Sequence, residues 1–260
     1  MKNLKIDQHI ILDKPETWPT AFNQIMELNS GLIKNYLREE EKIKELYLSA
    51  RFSRIELNPY KLKFQELIFE MEQILVNHKI MGLHCTRLLD DEIGNLKKEG
   101  LKPLSKELAI SKINLAFSKG LISTDLKLEL LNKEEYQLEC RTAMVYFFHC
   151  ISTLKNEHGL KKLFGYWGGE AIYMYNKDST ALKKIGVPCI VLLSVNIVEL
   201  NSLYPLSERM IKGYFKNDFE SQDSDSKMDK PVPVLEVIEY SDTKFEELTN
   251  YSNWEEANKN

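Results

Sequence analysis

The sequence has little of what marks membrane-spanning, secreted or disulfide-bonded proteins. It holds no uninterrupted apolar run near the roughly 18 residues that a transmembrane helix needs. Residues 1–7 lack the apolar core and cleavage site of a secretory signal. The four cysteines are scattered through apolar surroundings, which favours reduced thiols over a disulfide framework. We therefore expect a cytoplasmic protein with no membrane partner.

A strong positive charge is also lacking. The net charge of -4 argues against a protein that grips nucleic acid through bulk positive potential. The 260 residues, 43% of them apolar, suffice for one large domain or for one domain with an appendage.

Metal-ligand spacing is absent as well. The pairs His84-Cys85 and His149-Cys150 are the nearest approach to a zinc motif, but the chain contains no Cys-x-x-Cys or His-x-x-x-His. We expect no metal site.

Apolar spacing divides the chain into two regions. Residues 1–79 are predicted to form a helical N-terminal region, and residues 80–260 a mixed region of strands and helices. Val187–Val198 is the most strand-like run, and residues 217–232 have the composition of a flexible loop. A long helix is predicted from Asn132 or Lys133 to about Glu157, with His149 as a satisfied core residue. The last eighteen residues are predicted to form a docked terminal helix.

The first motif is a strand that ends in His84-Cys85-Thr86-Arg87. Because His84 and Thr86 are two residues apart, their side chains point to the same side of the strand. A short helix follows from Leu88 to Glu99 and is ended by Gly100. This arrangement suits ligand binding, although a buried histidine capped by a threonine hydroxyl would give the same pattern.

Two later motifs carry the other candidate residues. Gly168 and Gly169 permit close backbone approach or positive φ, and they precede an aromatic stretch that suits stacking on a flat ring. A tight turn into an aromatic core strand is the alternative. Residues 234–240 are predicted to form a strand, with Glu239 on the face of Leu235 and Glu236 on the other face.

Together these motifs resemble the ADP-ribosyltransferase superfamily, in the diphtheria-toxin and poly-ADP-ribose polymerase branch with a His, Tyr, Glu triad. Its strand ending His-Gly-Thr corresponds to His84-Cys85-Thr86, and its following glycine turn to Gly100-Leu101. Its Gly-x-Gly-Ile-Tyr motif is similar to residues 168–174, and its last strand to residues 236–240. The middle glycine of the first motif is Cys85 here.

The resemblance implies an α+β fold with a split mixed or antiparallel sheet, a helical N-terminal appendage and helical insertions. It also implies three catalytic residues, Glu236, His84 and Tyr173, and a set of residues that bind NAD. These NAD-binding residues are His84, Cys85, Thr86, Arg87, Gly169, Tyr166 and Tyr173. Arg87 or Arg141 would neutralise the pyrophosphate.

Several assignments within this site stay open. Tyr166 and Tyr175 are alternatives to Tyr173, and Glu239 is an alternative to Glu236. Glu170 has no clear family role and is a candidate for contact with the acceptor.

The resemblance implies an enzyme that cleaves the nicotinamide–ribose bond of NAD. It would transfer ADP-ribose to a macromolecular acceptor, which is RNA, DNA or protein. A toxin or anti-phage effector, with an antitoxin or regulatory partner for the N-terminal helices, fits this chemistry. The alternatives are an NAD glycohydrolase and a catalytically inactive binding protein with the same fold.

Overall fold

The computed structural model describes residues 9–49, 57–132, 143–155, 157–169, 172, 180–222 and 226–249. Its strands are β1 (His9–Ile10), β2 (Lys79–Leu88), β3 (Val145–Phe147), β4 (Val187–Asn196), β5 (Ser226–Met228) and β6 (Val234–Glu239). Its helices are α1 (Thr20–Leu28), α2 (Ser30–Ser49), α3 (Lys61–Leu75), α4 (Asp90–Glu99), α5 (Lys106–Ser118), α6 (Thr124–Leu131), α7 (Glu157–Gly165), α8 (Leu206–Lys216) and α9 (Thr243–Thr249). The chain is an α+β protein, as its sequence predicted.

Four strands form one mixed sheet in the order β1-β2-β4-β6. β1 is parallel to β2, whereas β4 is antiparallel to both of its neighbours. β4 is buried along its whole length apart from its two end residues, because its run of apolar side chains suits a strand covered on both faces. The strand predicted for Val187–Val198 is therefore confirmed over Val187–Asn196. A second sheet pairs β3 with β5.

The helices α1 to α3 share a hydrophobic core with one face of the large sheet. Phe22 of α1, Ile33 of α2 and Met71 of α3 are fully buried in the same cluster as Val191 and Val195 of β4. None of the described helices has the length and apolar character needed to cross a membrane. The N-terminal helices are thus part of the packing that supports the sheet.

The opposite face of the sheet is covered by α7 and α9. Phe164 of α7 and Phe245 of α9 are fully buried there beside Leu83 and Leu192 of the sheet. The start of the predicted terminal helix is confirmed in α9, and residues 250–260 lie outside the described part of the chain.

Local signals in the sequence fix the two helices after β2. Gly100 follows the last residue of α4 with a φ of 80°, as the predicted glycine stop requires. The Ser105 hydroxyl accepts a hydrogen bond at 3.1 Å from the Leu108 N–H in the first turn of α5. Both boundaries agree with the sequence.

The prediction of a long helix that runs to about Glu157 is wrong for residues 143–155, which the structure describes. Val145–Phe147 is strand β3, which pairs with β5 and lies against β2. The β-branched and aromatic run Val145–Phe148 suits a half-buried strand, and the helical spacing of its apolar residues was misleading. Residues 133–142 lie outside the described ranges. The sequence also did not predict α6.

The flexible loop predicted for residues 217–232 contains a strand. Residues 226–228 form β5, with Ser226 and Met228 buried, and Val232 forms an isolated bridge with Leu101. Residues 223–225 lie outside the described part of the chain. The polar composition of this segment suggested a loop. Ser226 is nevertheless buried, because His149 and Arg209 satisfy its hydroxyl with hydrogen bonds.

A close backbone approach at Gly186 yields a stability prediction. Gly186 has a φ of 66°, and a Cβ atom there would lie 2.3 Å from the Leu88 carbonyl oxygen. Gly120 has a similar φ of 68° but no atom within 4 Å of the same position. We expect Gly120→Ala to lower the free energy of unfolding by about 1 kcal/mol, through backbone strain alone. Gly186→Ala should lower it by a further 2 kcal/mol or more.

Urea unfolding of both variants measures this difference directly. Equal losses in the two variants would contradict the close contact at Gly186.

Candidate functional site

A cavity of about 390 Å³ lies beside the edge of β2 that faces away from β4. This volume is typical of a small-molecule site. Leucine side chains from β2, α4, α5 and α7 contribute much of its apolar wall. The cavity also brings together three segments that the sequence singled out. These are His84–Thr86, Gly100–Leu101 and Gly168–Gly169.

The edge of β2 offers an unpaired backbone donor and acceptor. Leu83 donates its N–H to the Phe148 carbonyl at 2.8 Å and accepts from the Phe148 N–H at 3.1 Å. Along an antiparallel strand, every second residue points its N–H and C=O to the same edge. Cys85 therefore presents both groups to the cavity, and they have no partner among the described residues. Its thiol is buried in the core on the far face.

The imidazole of His84 is held in one tautomer. Its Nδ1 lies 2.8 Å from the Tyr146 carbonyl oxygen, so Nδ1 carries the proton and donates. Burial lowers the pKa of His84. The hydrogen bond to Tyr146 opposes this shift, and the positive charge of Lys112 adds to it. Burial thus favours the neutral ring, and in that ring the unprotonated Nε2 is a hydrogen-bond acceptor.

Thr86 lies on the same face of the sheet as His84, as predicted. The two residues pair with Cys189 and Val191 of β4, which are likewise two apart. Thr86 is buried, and it lines the cavity beside His84.

Arg87 does not serve the cavity. It points to the opposite face, where its guanidinium donates to the backbone carbonyls of Phe164 (3.1 Å), Ile185 (3.0 Å) and Gly186 (2.7 Å). Arg87 is only 8% exposed, so its guanidinium needs hydrogen-bond acceptors within the protein. These three carbonyls provide them in place of a carboxylate. The structure therefore does not bring Arg87 into the cavity, and the residue instead ties α7 to the turn before β4.

The Gly168–Gly169 pair has the predicted backbone. The φ angles are 91° and 72°, and both glycines line the cavity. Tyr166 instead packs in a neighbouring cluster with Trp167, with the Lys183 ammonium 5.4 Å from its ring centroid. Tyr166 is therefore not brought into the cavity. Tyr173, its rival Tyr175, Glu170 and Arg141 lie outside the described residues.

The sheet separates Glu236 from His84. Glu236 pairs with Leu192, which pairs with Leu83, so all three side chains share one face. His84 is on the other face. Glu236 also accepts a hydrogen bond at 2.6 Å from Lys244 of α9. The prediction that Glu236 faces the pocket with His84 is corrected by this register.

Glu239 lies on the face that Glu236 does not share. It pairs with Cys189, which pairs with Thr86, so Glu239 and Thr86 are in one row two strand spacings apart, or about 10 Å. Leu235 is an extra residue in β6, at the register shift opposite Leu192 and Leu193. This bulge breaks the strict alternation predicted for the strand.

A polar cluster at the back of the cavity was missed by sequence reasoning. Glu92 of α4 accepts hydrogen bonds at 2.8 Å from the Leu89 N–H and from the Trp167 indole N–H. Its other oxygen lies 2.7 Å from the Lys112 ammonium. The acidic first turn of α4 was visible in the sequence as a helix start, but nothing marked Trp167 and Lys112 as its partners.

No metal site is found in the described part of the chain. No group of three or more His, Cys, Asp or Glu side chains there is close enough to hold an ion. His149 is fully buried, with Nδ1 2.9 Å from the Met81 carbonyl oxygen and Nε2 2.9 Å from the Ser226 hydroxyl. The interpretation of His149 as a satisfied core residue is confirmed, although it does not lie on a helix.

Comparison with protein-family models, with curated proteins and with solved structures gave no match.

Buried His149 makes the stability depend on pH. Burial, with a further contribution from the charge of Arg209, lowers the pKa of His149 to about 3. In the unfolded chain a histidine has a pKa near 6.5, so between these values the unfolded state binds more protons. The free energy of unfolding should therefore fall as the pH falls below about 6.5. The contribution of this residue approaches about 1.4 kcal/mol per pH unit.

Urea unfolding at pH 7, 6 and 5 measures this slope. The variant His149→Gln should be less stable at pH 7 and should show a shallower slope. An identical slope in the wild-type protein and the variant would contradict the assignment.

Proposed function

We propose that the cavity binds NAD and that the chain is an NAD-dependent ADP-ribosyltransferase acting on a macromolecular acceptor. The observation that carries the proposal is the cavity itself, in which His84–Thr86, Gly100–Leu101 and Gly168–Gly169 meet. These segments are far apart in the sequence, and each corresponds to a motif of the superfamily that the chain resembles. A toxin or anti-phage effector is the setting in which such an activity fits best.

The edge of β2 suits a carboxamide. The nicotinamide amide would donate an N–H to the Cys85 carbonyl and accept from the Cys85 N–H, with the leucine-rich wall against the ring. The neutral His84 would accept a hydrogen bond at Nε2 from a ribose hydroxyl. These contacts use only groups that lack partners among the described residues.

The reaction breaks the bond between the nicotinamide nitrogen and the ribose C1′, and the electron pair leaves with nicotinamide. Positive charge builds on the ribose until the acceptor nucleophile bonds to C1′ and loses its proton, so a carboxylate nearby stabilises the transition state. Of the two acids of β6, Glu239 lies on the face of His84. The proposal therefore assigns the carboxylate role to Glu239, in place of Glu236.

A catalytically inactive NAD-binding protein is the second candidate. The observation that favours it is the placement of Glu236, which lies on the far face of the sheet and is paired with Lys244. In addition, Glu239 is not among the described residues that line the cavity. Binding and turnover of NAD therefore have to be measured separately. An NAD glycohydrolase would use the same residues with water as acceptor, and labelled ADP-ribose distinguishes it from a transferase.

The two acids of β6 provide a matched test of turnover. Glu239→Gln should reduce the release of nicotinamide from NAD by about 100-fold or more, because it removes the charge that stabilises the ribose cation. Glu236→Gln is the control, since it makes the same change on the opposite face of the same strand. Loss of activity in Glu236→Gln alone would refute the assignment, and no NAD turnover by the wild-type protein would favour the binding protein.

Binding is tested at His84. His84→Ala should weaken NAD binding by about 10-fold, the effect of one lost hydrogen bond in an apolar site. Calorimetry on both proteins gives the ratio. The exposed His78 supplies the control variant His78→Ala, and unchanged affinity in His84→Ala would contradict the proposed pose.

A further inference from the structure

Lys112 is the enclosed cation of the cavity. It lies in the middle of α5, its side chain is 18% exposed, and its ammonium is 2.7 Å from Glu92 and 5.8 Å from the ring centroid of Trp167. Among the described residues that line the cavity, the other lysine is Lys102. Lys102 is 47% exposed and is paired with Glu99, which is 53% exposed, so solvent screens its charge.

Glu92 does not depend on Lys112 alone. The Leu89 N–H and the Trp167 indole N–H both donate to its Oε2. Glu92 also lies in the first turn of α4, where the helix dipole stabilises negative charge. Lys112 could therefore turn its donors toward a ligand while Glu92 keeps stabilising partners.

The ammonium of Lys112 has three N–H donors, and one carboxylate oxygen is its described partner. The leucine side chains that line the cavity make its surroundings less polar than bulk water, which strengthens charge interactions there. Arg87 does not supply this charge, because it does not line the cavity and each of its three guanidinium nitrogens donates to a backbone carbonyl. A free phosphate or carboxylate group in this cavity would find its positive partner at Lys112.

We propose that Lys112 is the anion-binding group of the cavity and that the natural ligand carries a phosphate beside its apolar ring. This inference rests on the proposed function, in which the phosphate is the pyrophosphate of NAD. It assigns to α5 a role that none of the three sequence motifs carries. Glu92 then acts as a positioning residue, which holds the Lys112 side chain within the cavity when the ligand is absent.

The test compares three ligands by calorimetry on the full chain. NAD carries both the ring and the pyrophosphate, ADP-ribose lacks the nicotinamide, and nicotinamide lacks the phosphates. Lys112→Met should weaken the binding of NAD and of ADP-ribose by about 10- to 100-fold, the range for a hydrogen bond to a charged group. The affinity for nicotinamide should not change.

Lys119→Met is the matched control. Lys119 joins α5 to α4 through an ion pair with Asp91 at 3.0 Å, but it is 40% exposed and does not line the cavity. This variant should bind all three ligands as the wild-type protein does. Lys112→Arg keeps the charge and should retain most of the affinity for NAD. The unchanged affinity of Lys112→Met for nicotinamide shows that this variant is folded.

The outcomes separate this inference from the proposed function. Equal affinities of Lys112→Met and Lys119→Met for NAD and ADP-ribose would overturn the role of Lys112, as would a parallel loss of nicotinamide binding. If the wild-type protein binds ADP-ribose through Lys112 but does not bind NAD or nicotinamide, the anion site stands and the proposed function fails. If it binds none of the three, both are overturned.

Discussion

The antiparallel pairing of β4 with β2 and β6 is the constraint on which the rest of this structure depends. It decides which side chains share a face, because residues opposite one another in adjacent strands point the same way. The pairing of His84 with Val191, and of Leu83 with Leu192, thus assigns every candidate residue of these strands to one of two cores. It also leaves one edge of β2 open, and the cavity forms there.

Glu92 connects the segments around the cavity to one another. Its carboxylate contacts the start of α4, the indole before the Gly168–Gly169 pair, and Lys112 of α5. Three segments that are distant in sequence are therefore fixed by one side chain. Since buried carboxylates need several donors to offset their lost hydration, this convergence is also what permits Glu92 to be 10% exposed.

Much of the fold could be predicted because its signals are local. The apolar run of β4, the serine that caps α5 and the glycine after α4 each act within a few residues. β3 and β5 were missed because short strands depend on a partner from elsewhere in the chain, which no local pattern reveals.

The candidate site likewise has features that follow from local sequence and features that depend on distant parts of the chain. The sequence predicted that His84 and Thr86 share a side, and it indicated that Gly168–Gly169 permits close backbone approach or positive φ, because both follow from the local backbone. It could not place Glu236, because the face on which Glu236 lies depends on strand register. Nor could it show that the Arg87 guanidinium donates hydrogen bonds to three backbone carbonyls. Lys112 could not be found because its role comes from helix packing alone.

The bulge at Leu235 has a consequence for which acid the protein can present. The pairing of Leu193 with Val234, continued without the extra residue, would bring Glu236 opposite Val191, in the row of His84. A slip of one residue therefore exchanges Glu236 and Glu239 between the two sides of the sheet. β6 thus carries two alternative carboxylates, and the bulge at Leu235 decides which of them lies on the same face as His84.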